Sequence, residues 1–323
     1  MKPMTRLLAL IAAVSFCVSV FADEPHPGSE AFVERMAAQH GLDPDHIRSV
    51  LADAQYQQAI IDAITRPAEA RPWYRYWPIF LTEARIGGGA EFWRANQTLL
   101  EEISEQFGVP IEIIVAIVGV ETNYGGNTGS FRVIDALATL GFYFPRRADF
   151  FASELGHFIA LAEAEDLPLF EVRGSYAGAM GLGQFIPSSY RAYAVDFDGT
   201  GRRDLWRSLP DALGSVANYL AVHRWRAGEP IVLPVNSVPD DLDAEFNMNL
   251  THTLESLAGL GIDFDRGELS ADMPATLVTL ENEDGHEHWV ALNNFYVITR
   301  YNRSPLYAMA VTQLAEAILE RAP

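Results

Sequence analysis

Val109-Pro110-Ile111-Glu112-Ile113-Ile114-Val115-Ala116-Ile117-Val118-Gly119-Val120 is apolar almost all round, and it runs directly into Glu121-Thr122-Asn123-Tyr124-Gly125-Gly126. A proline suited to a first helical position, followed by a nearly continuous apolar surface, predicts a buried helix. The glycine-bearing turn that follows places Glu121 in the last turn of that helix. Burial disfavours a carboxylate there, and so does the negative end of the helix dipole. Both raise the pKa toward the value a general acid needs. A glutamate protonated at neutral pH can donate to a leaving oxygen. Taken alone, however, a glutamate that closes a helix is more commonly an ordinary solvated side chain.

Outward from this helix, the chain reads as predominantly helical with a small β-containing region, an α+β fold. Between Ser29 and about Ala70 apolar residues recur at helical spacing, as Phe32, Met36, Ile47, Val50 and Leu51, and Asp43-Pro44 is a helix-start signal. Arg66-Pro67 to Pro78 reads as a turn-rich stretch holding Trp73, Tyr74, Tyr76 and Trp77. Helices are expected over Ile79 to Ile86 and Ala90 to Phe107, separated by Gly87-Gly88-Gly89. The centre, to about Ala227, is mainly helical. Beyond Pro230 come β-type runs, Ile231-Val232-Leu233, Ala275 to Leu280 and His288 to Ala291, with Glu283-Asp284-Gly285 as a turn. Ser304 to Arg321 is helical again. The expected organisation is an N-terminal helical region (residues 23–70), a core (71–229), a small β-containing region (230–291) and a C-terminal segment returning to the core (292–323).

Composition limits the function. Met1 to Ala22 carries Lys2 and Arg6 ahead of an apolar stretch from Leu7 to Phe21 and ends in small residues before Asp23, the pattern of a secretory signal peptide. The stretch is short of the roughly 18 to 20 residues that a membrane span needs. The only cysteine, Cys17, lies inside it and follows Phe16, where a lipid-attachment motif wants a small residue. A soluble, exported, periplasmic protein is expected rather than one lipid-anchored at Cys17. Its stability must come from a core and not from disulfides. A formal charge of −20 argues against nucleic acid as a partner. There is no His-Glu-x-x-His and no phosphate-binding loop ending in Lys-Ser/Thr, so neither a metalloprotease nor a nucleotide enzyme is supported. His286-Glu287-His288 gives two alternating ligands with no third nearby and reads as an exposed hairpin.

Two further segments hold candidate chemistry. Gly174 to Tyr190 has four glycines in ten residues followed by Gln184 and Phe185; such a chain passes close to a ligand or packs closely against a helix. Ser188 or Ser189 reads as a helix N-cap rather than a nucleophile, since no Gly-x-Ser-x-Gly elbow is present. Asp196-Phe197-Asp198-Gly199-Thr200-Gly201-Arg202-Arg203-Asp204 supplies positions 1, 3, 5, 6 and 9 of a calcium loop through Asp196, Asp198, Thr200, Gly201 and Asp204, with a carbonyl from Arg202. Position 12 is Arg207 rather than Glu, and a metal-free turn that keeps its glycines is the alternative.

Glu121 to Gly125, Phe144-Pro145-Arg146-Arg147, Gly174 to Tyr190, Asp211 to Tyr219 and Arg300 to Tyr307 occur in an order and spacing that resemble the lytic murein transglycosylase B family, glycoside hydrolase family 103. The resemblance implies a lysozyme-like helical core, flanked by a helical region and a small β-containing region, with peptidoglycan glycan strands in the cleft between them. It implies that Glu121 is the family's single catalytic acid, protonating the glycosidic oxygen between N-acetylmuramic acid and N-acetylglucosamine. The same residue then takes the proton of the muramic acid 6-hydroxyl, which gives a 1,6-anhydro product without water or cofactor. Ser175 matches a serine that orients the acid or the N-acetyl group, and Gln184 and Asn302 match polar residues lining the cleft. Tyr76, Tyr219, Tyr301, Tyr307 and Phe185 match cleft aromatics, and Arg146 and Arg147 match a basic pair facing substrate carboxylates. The family carries an EF-hand-like loop at 196–207, in some members with its closing carboxylate further along, a role open here to Asp211. This chain departs from the pattern at Gly183, where proline is common, and at Arg207. The rival expectations are a muramidase that uses water on the same bond and a non-catalytic peptidoglycan-binding or scaffold protein.

Overall fold

In the computed structural model, which describes residues 24–66, 71–242 and 248–322, the N-terminal helices start where the sequence signals them. The segment expected to be a signal peptide, with Cys17, lies outside the described residues. Helices α1 (Ser29–His40), α2 (Pro44–Asp53) and α3 (Gln58–Ile64) come first; Asp43 caps α2 by accepting from the Asp45 N–H at 3.0 Å, with Pro44 at N1. Of the stretch expected to be turn-rich, residues 67–70 lie outside the described residues, and its aromatic part is helical. It forms α4 (Trp73–Tyr76) and a 3-10 turn over Trp77–Ile79.

The three glycines expected to separate two helices lie inside one, α5 (Glu83–Ala95), and the break to α6 (Gln97–Phe107) comes at Asn96. Their purpose is close approach: a Cβ at Gly89 would stand 2.5 Å from Ile318 Cδ1 and 2.6 Å from the Tyr124 hydroxyl. Helix α7 (Ile111–Thr122) is the buried helix of the opening stretch, with Pro110 as its N-cap rather than its first residue. Ile113 to Gly119 are all buried, so truncating Ile114 or Ile117 to Ala would cost about 2–5 kcal/mol. Around it pack α5, α6, α11 (Leu209–Val222) and α14 (Pro305–Leu319).

Between these, β1 (Phe131–Arg132) pairs antiparallel with β2 (Arg173–Gly174), and α8 (Val133–Tyr143) packs along α9 (Ala148–Ala164). The next helix, α10, covers Pro187–Tyr193 with Ile186 as its N-cap, so neither Ser188 nor Ser189 caps it; the Ser188 N–H bonds instead to the buried Glu154 carboxylate at 2.9 Å.

The β-type runs form one antiparallel sheet: β3 (Val232–Ser237), β4 (His252–Thr253), β5 (Asp263–Phe264), β6 (Pro274–Asn282) and β7 (Gly285–Ala291), in the order β4-β6-β7-β3-β5. Alternation along β6 gives the sheet two apolar faces. Ala275 and Leu277 join a small core with Leu254 and Leu257 of α12 (Leu254–Gly259), while Val278 and Leu280 join the main helical core, where β6 meets α4. Helix α13 (Asn293–Tyr301) and α14 then carry the chain back beside α7.

Candidate active site

The end of α7 is fixed by its own turn. Asn123 and Tyr124 take left-handed backbone at φ 51° and 58°, and the Tyr124 hydroxyl donates to the Arg85 carbonyl at 2.8 Å. Thr122 Oγ1 accepts from the Gly125 N–H at 3.1 Å and lies 3.0 Å from the Leu182 carbonyl, tying the helix end to the glycine-rich segment. Glu121 is thereby held, partly exposed, at the surface of the main core. Its Oε1 accepts from the Tyr307 hydroxyl at 2.6 Å. Tyr307 is positioned by the first turn of α14, where Ser304 is the N-cap and accepts from the Tyr307 N–H at 3.3 Å.

Desolvation pushes the Glu121 pKa up to about 7, against the smaller lowering effect of the Tyr307 hydrogen bond. Burial and the nearby Glu121 hold the Tyr301 and Tyr307 hydroxyls well above their usual pKa, so both remain donors at neutral pH. With Oε1 occupied by the tyrosine proton, the proton of a neutral Glu121 belongs on Oε2. Among the described residues, no other carboxylate is among the groups that move the pKa of Glu121.

The glycine-rich segment folds against this centre. Gly174 pairs with Phe131, and isolated bridges join Gly174 to Met180 and Met180 to Phe185. The Ser175 oxygen accepts from the Ala177 and Ala179 N–H groups at 3.2 and 3.1 Å, which closes the loop and leaves its own proton to donate. Gln184, at φ 51°, donates from Nε2 to the Gly181 and Thr128 carbonyls at 3.0 and 3.2 Å, and among the described residues its side-chain oxygen has no partner. The Tyr301 hydroxyl donates to the Gly183 carbonyl at 2.5 Å. A Cβ at residue 183 would meet that hydroxyl at 2.9 Å, a packing reason for glycine at this departure from the family pattern.

The expected cleft aromatics are brought together, but mostly as a wall. Phe185 packs edge-on against Tyr219 and Tyr301, both at 5.8 Å, and the Tyr219 hydroxyl donates to the Arg300 carbonyl. Phe185, Tyr219, Tyr76 and Tyr307 are all buried, and only Tyr301 is partly exposed. Tyr76, stacked 6.3 Å from Trp73, is near enough to contribute to the raised pKa of Tyr307. Asn302 follows α13, half-buried, with its carbonyl accepting from the Ser304 N–H and no hydrogen bond to its side-chain amide among the described residues. Arg146 and Arg147 lie exposed on a 3-10 turn; Arg147 stacks on Phe150 at 4.2 Å, and no contact joins either arginine to Glu121.

At the second candidate site, Asp196, Asp198 and Asp211 each offer an oxygen, all within 4.8 Å of one another. Asp211 is fully buried and accepts the Phe197 and Asp204 N–H groups at 2.7 and 2.8 Å. Hard oxygen donors of this number fit a calcium ion held together with carbonyls and water. Asp204 turns away from the group and caps its own turn, accepting from Trp206 and Arg207 at 3.0 and 2.9 Å. Thr200 contributes its N–H to Asp196 and Asp198, and the Arg202 guanidinium lies 3.6 Å from Asp166. The loop is joined to the glycine-rich segment by the Leu182 N–H to Leu205 carbonyl bond at 2.9 Å. The Glu121–Tyr307 bond, spanning 186 positions, is the contact that sequence spacing gives no means of finding.

The transglycosylase SLT domain model matches residues 25–316. The membrane-bound lytic murein transglycosylase B of Escherichia coli (strain K12) is 38% identical over 303 residues, covering 91% of this chain and 83% of that protein. Among solved structures, the catenated lytic transglycosylase SltB1 of Pseudomonas aeruginosa superposes with a TM-score of 0.84 at 45% identity, covering 91% of this chain and 97% of the other. The Escherichia coli lytic transglycosylase Slt35 in complex with calcium gives 0.81 at 38%, covering 92% and 94%. SltB3 of Pseudomonas aeruginosa in complex with NAG-anhNAM-pentapeptide gives 0.77 at 34%, covering 90% and 78%.

Proposed function

The chain belongs to the transglycosylase SLT domain family, and from that premise we propose that Glu121 alone carries both proton transfers of a peptidoglycan cleavage in which no water is consumed. The fold is the lysozyme-like, helix-dominated α+β fold of these enzymes, and the chain is a lytic transglycosylase acting on peptidoglycan strands. Protonated Glu121 donates from Oε2 to the oxygen linking C1 of N-acetylmuramic acid to N-acetylglucosamine, and the C1–O bond breaks. The carboxylate so formed takes the proton of the muramic acid 6-hydroxyl while that oxygen bonds to C1. Glu121 ends protonated, and the strand ends in 1,6-anhydromuramic acid. A pKa of about 7 populates both forms near neutrality, which suits a group that serves first as acid and then as base. The Tyr307 hydroxyl steadies the carboxylate between the two steps.

The observation that carries this reading is a single desolvated carboxylate bonded to a tyrosine, because hydrolysis with inversion or retention uses a pair of carboxyl groups. The open side-chain oxygen of Gln184, the hydroxyl proton of Ser175 and the amide of Asn302 are the groups left to bind sugar hydroxyls and N-acetyl groups. Arg146 and Arg147 would meet substrate carboxylates beyond the centre. Calcium, held by Asp196, Asp198 and Asp211 with Thr200 and the Arg202 carbonyl, would brace the loop that supports Leu182. Residues 1–22 read as a signal peptide, which would deliver the enzyme soluble to the periplasm, where its polymer lies. Glu121→Gln should abolish release of anhydro products while binding to murein sacculi persists; appreciable remaining turnover would overturn the assignment.

A further inference from the structure

Helix α4 has a second side that the reaction does not use. Tyr76 faces inward toward Tyr307, whereas Tyr74 and Trp77, three apart and therefore on one helical face, line a cavity of about 640 Å³. The opposite wall is the tip of the β6–β7 hairpin, with Asn282, Glu283, Asp284 and His286. The volume lies in the range of roughly 300–1000 Å³ that holds small ligands. Trp77 is 37% exposed, in contrast to the buried aromatics beside Glu121. Asn282 donates to Glu287 at 2.9 Å, which fixes its amide, and among the described residues its side-chain oxygen has no partner.

A flat apolar platform opposite planar polar groups matches a pyranose ring, which has one apolar face and a rim of hydroxyls. The carboxylates decide which sugar. Stem peptides carry carboxylates, as does the lactyl group where no stem is attached, so Glu283 and Asp284 disfavour muramic acid and its stem and leave the N-acetylglucosamine unit as the one that seats here. We propose that this cavity is a distal glycan subsite, taking an N-acetylglucosamine of the strand on Trp77 while the scissile bond lies at Glu121; the proposal rests on the reaction assigned above. The subsite gives the enzyme a grip on long strands that short fragments do not reach.

The test compares peptidoglycan glycan strands of four sugars with strands of twelve or more, and follows the Trp77 indole N–H signal by NMR as N-acetylchitohexaose is added. Trp77→Ala should raise KM for long strands about tenfold with kcat unchanged, and leave four-sugar kinetics within about twofold, a loss of about 1.4 kcal/mol of binding. Glu283→Gln and Asp284→Asn, on an exposed turn, should remove the repulsion and let stem-bearing long strands bind more tightly, without altering four-sugar turnover. In the unsubstituted protein the indole signal should shift with the hexaose, a readout that needs no turnover. An unmoved indole signal, or an equal loss on short and long strands, overturns the subsite. So does a weakening by the amide variants confined to strands bearing stem ammonium groups, since the cavity would then read a cation. Failure of the unsubstituted enzyme to make anhydro ends would overturn the underlying reaction instead.

Discussion

Replacing Glu121 by Gln should stabilise the protein in a pH-dependent way. In the folded chain the carboxyl has a pKa of about 7, against 4.5 without burial. The unfolded chain therefore ionises first, and folding stability falls as pH rises from about 4.5 to about 7, then stays level. Each pH unit between those values is worth about 1.4 kcal/mol, so the carboxyl removes about 3 kcal/mol across the window. Glutamine does not titrate, and its amide oxygen still accepts from Tyr307. The stability difference between Glu121→Gln and the unsubstituted protein, measured by urea denaturation, should thus grow by about 3 kcal/mol in favour of Gln between pH 4.5 and pH 8. A difference that stays flat across this range would refute the claim that Glu121 is desolvated.

Tyr307→Phe removes the bond that lowers the Glu121 pKa, so the alkaline limb of the pH–rate profile should move upward and kcat should fall by about 10- to 100-fold; an unmoved limb would argue against the pairing. Gly89→Ala drives a methyl against Ile318 and the Tyr124 hydroxyl, and thermal denaturation should show a loss of about 1–3 kcal/mol. Millimolar calcium should raise the melting temperature, and Asp198→Asn should remove most of that rise; no shift in the unsubstituted protein would leave the Asp196 loop a metal-free turn.

How much was legible beforehand follows the range of the forces involved. Helix α7 could be read because every face of its sequence is apolar, and the β6–β7 hairpin because alternation and an Asp-Gly turn are local signals. Gly87-Gly88-Gly89 misled because the signal for a break and the need for a small residue look alike in sequence. The deciding neighbours, Tyr124 and Ile318, are far along the chain. Ser188 misled similarly, since the N–H and carboxylate that meet there belong to different helices. At the site, the position of Glu121 at the end of a buried helix made it only a candidate, and the five ordered blocks singled it out and supplied the polar and aromatic residues by resemblance. The burial of Tyr76, Tyr219 and Phe185, and the turning of Asp204 into its own cap, come from tertiary packing and local hydrogen bonding that no spacing rule contains.

Mass spectrometry of the soluble products released from murein sacculi tests the central claim most directly. If Glu121 acts alone as acid and then base, the products end in 1,6-anhydromuramic acid. Products heavier by one water, with reducing muramic acid ends, would contradict the account and require a second carboxylate at the site.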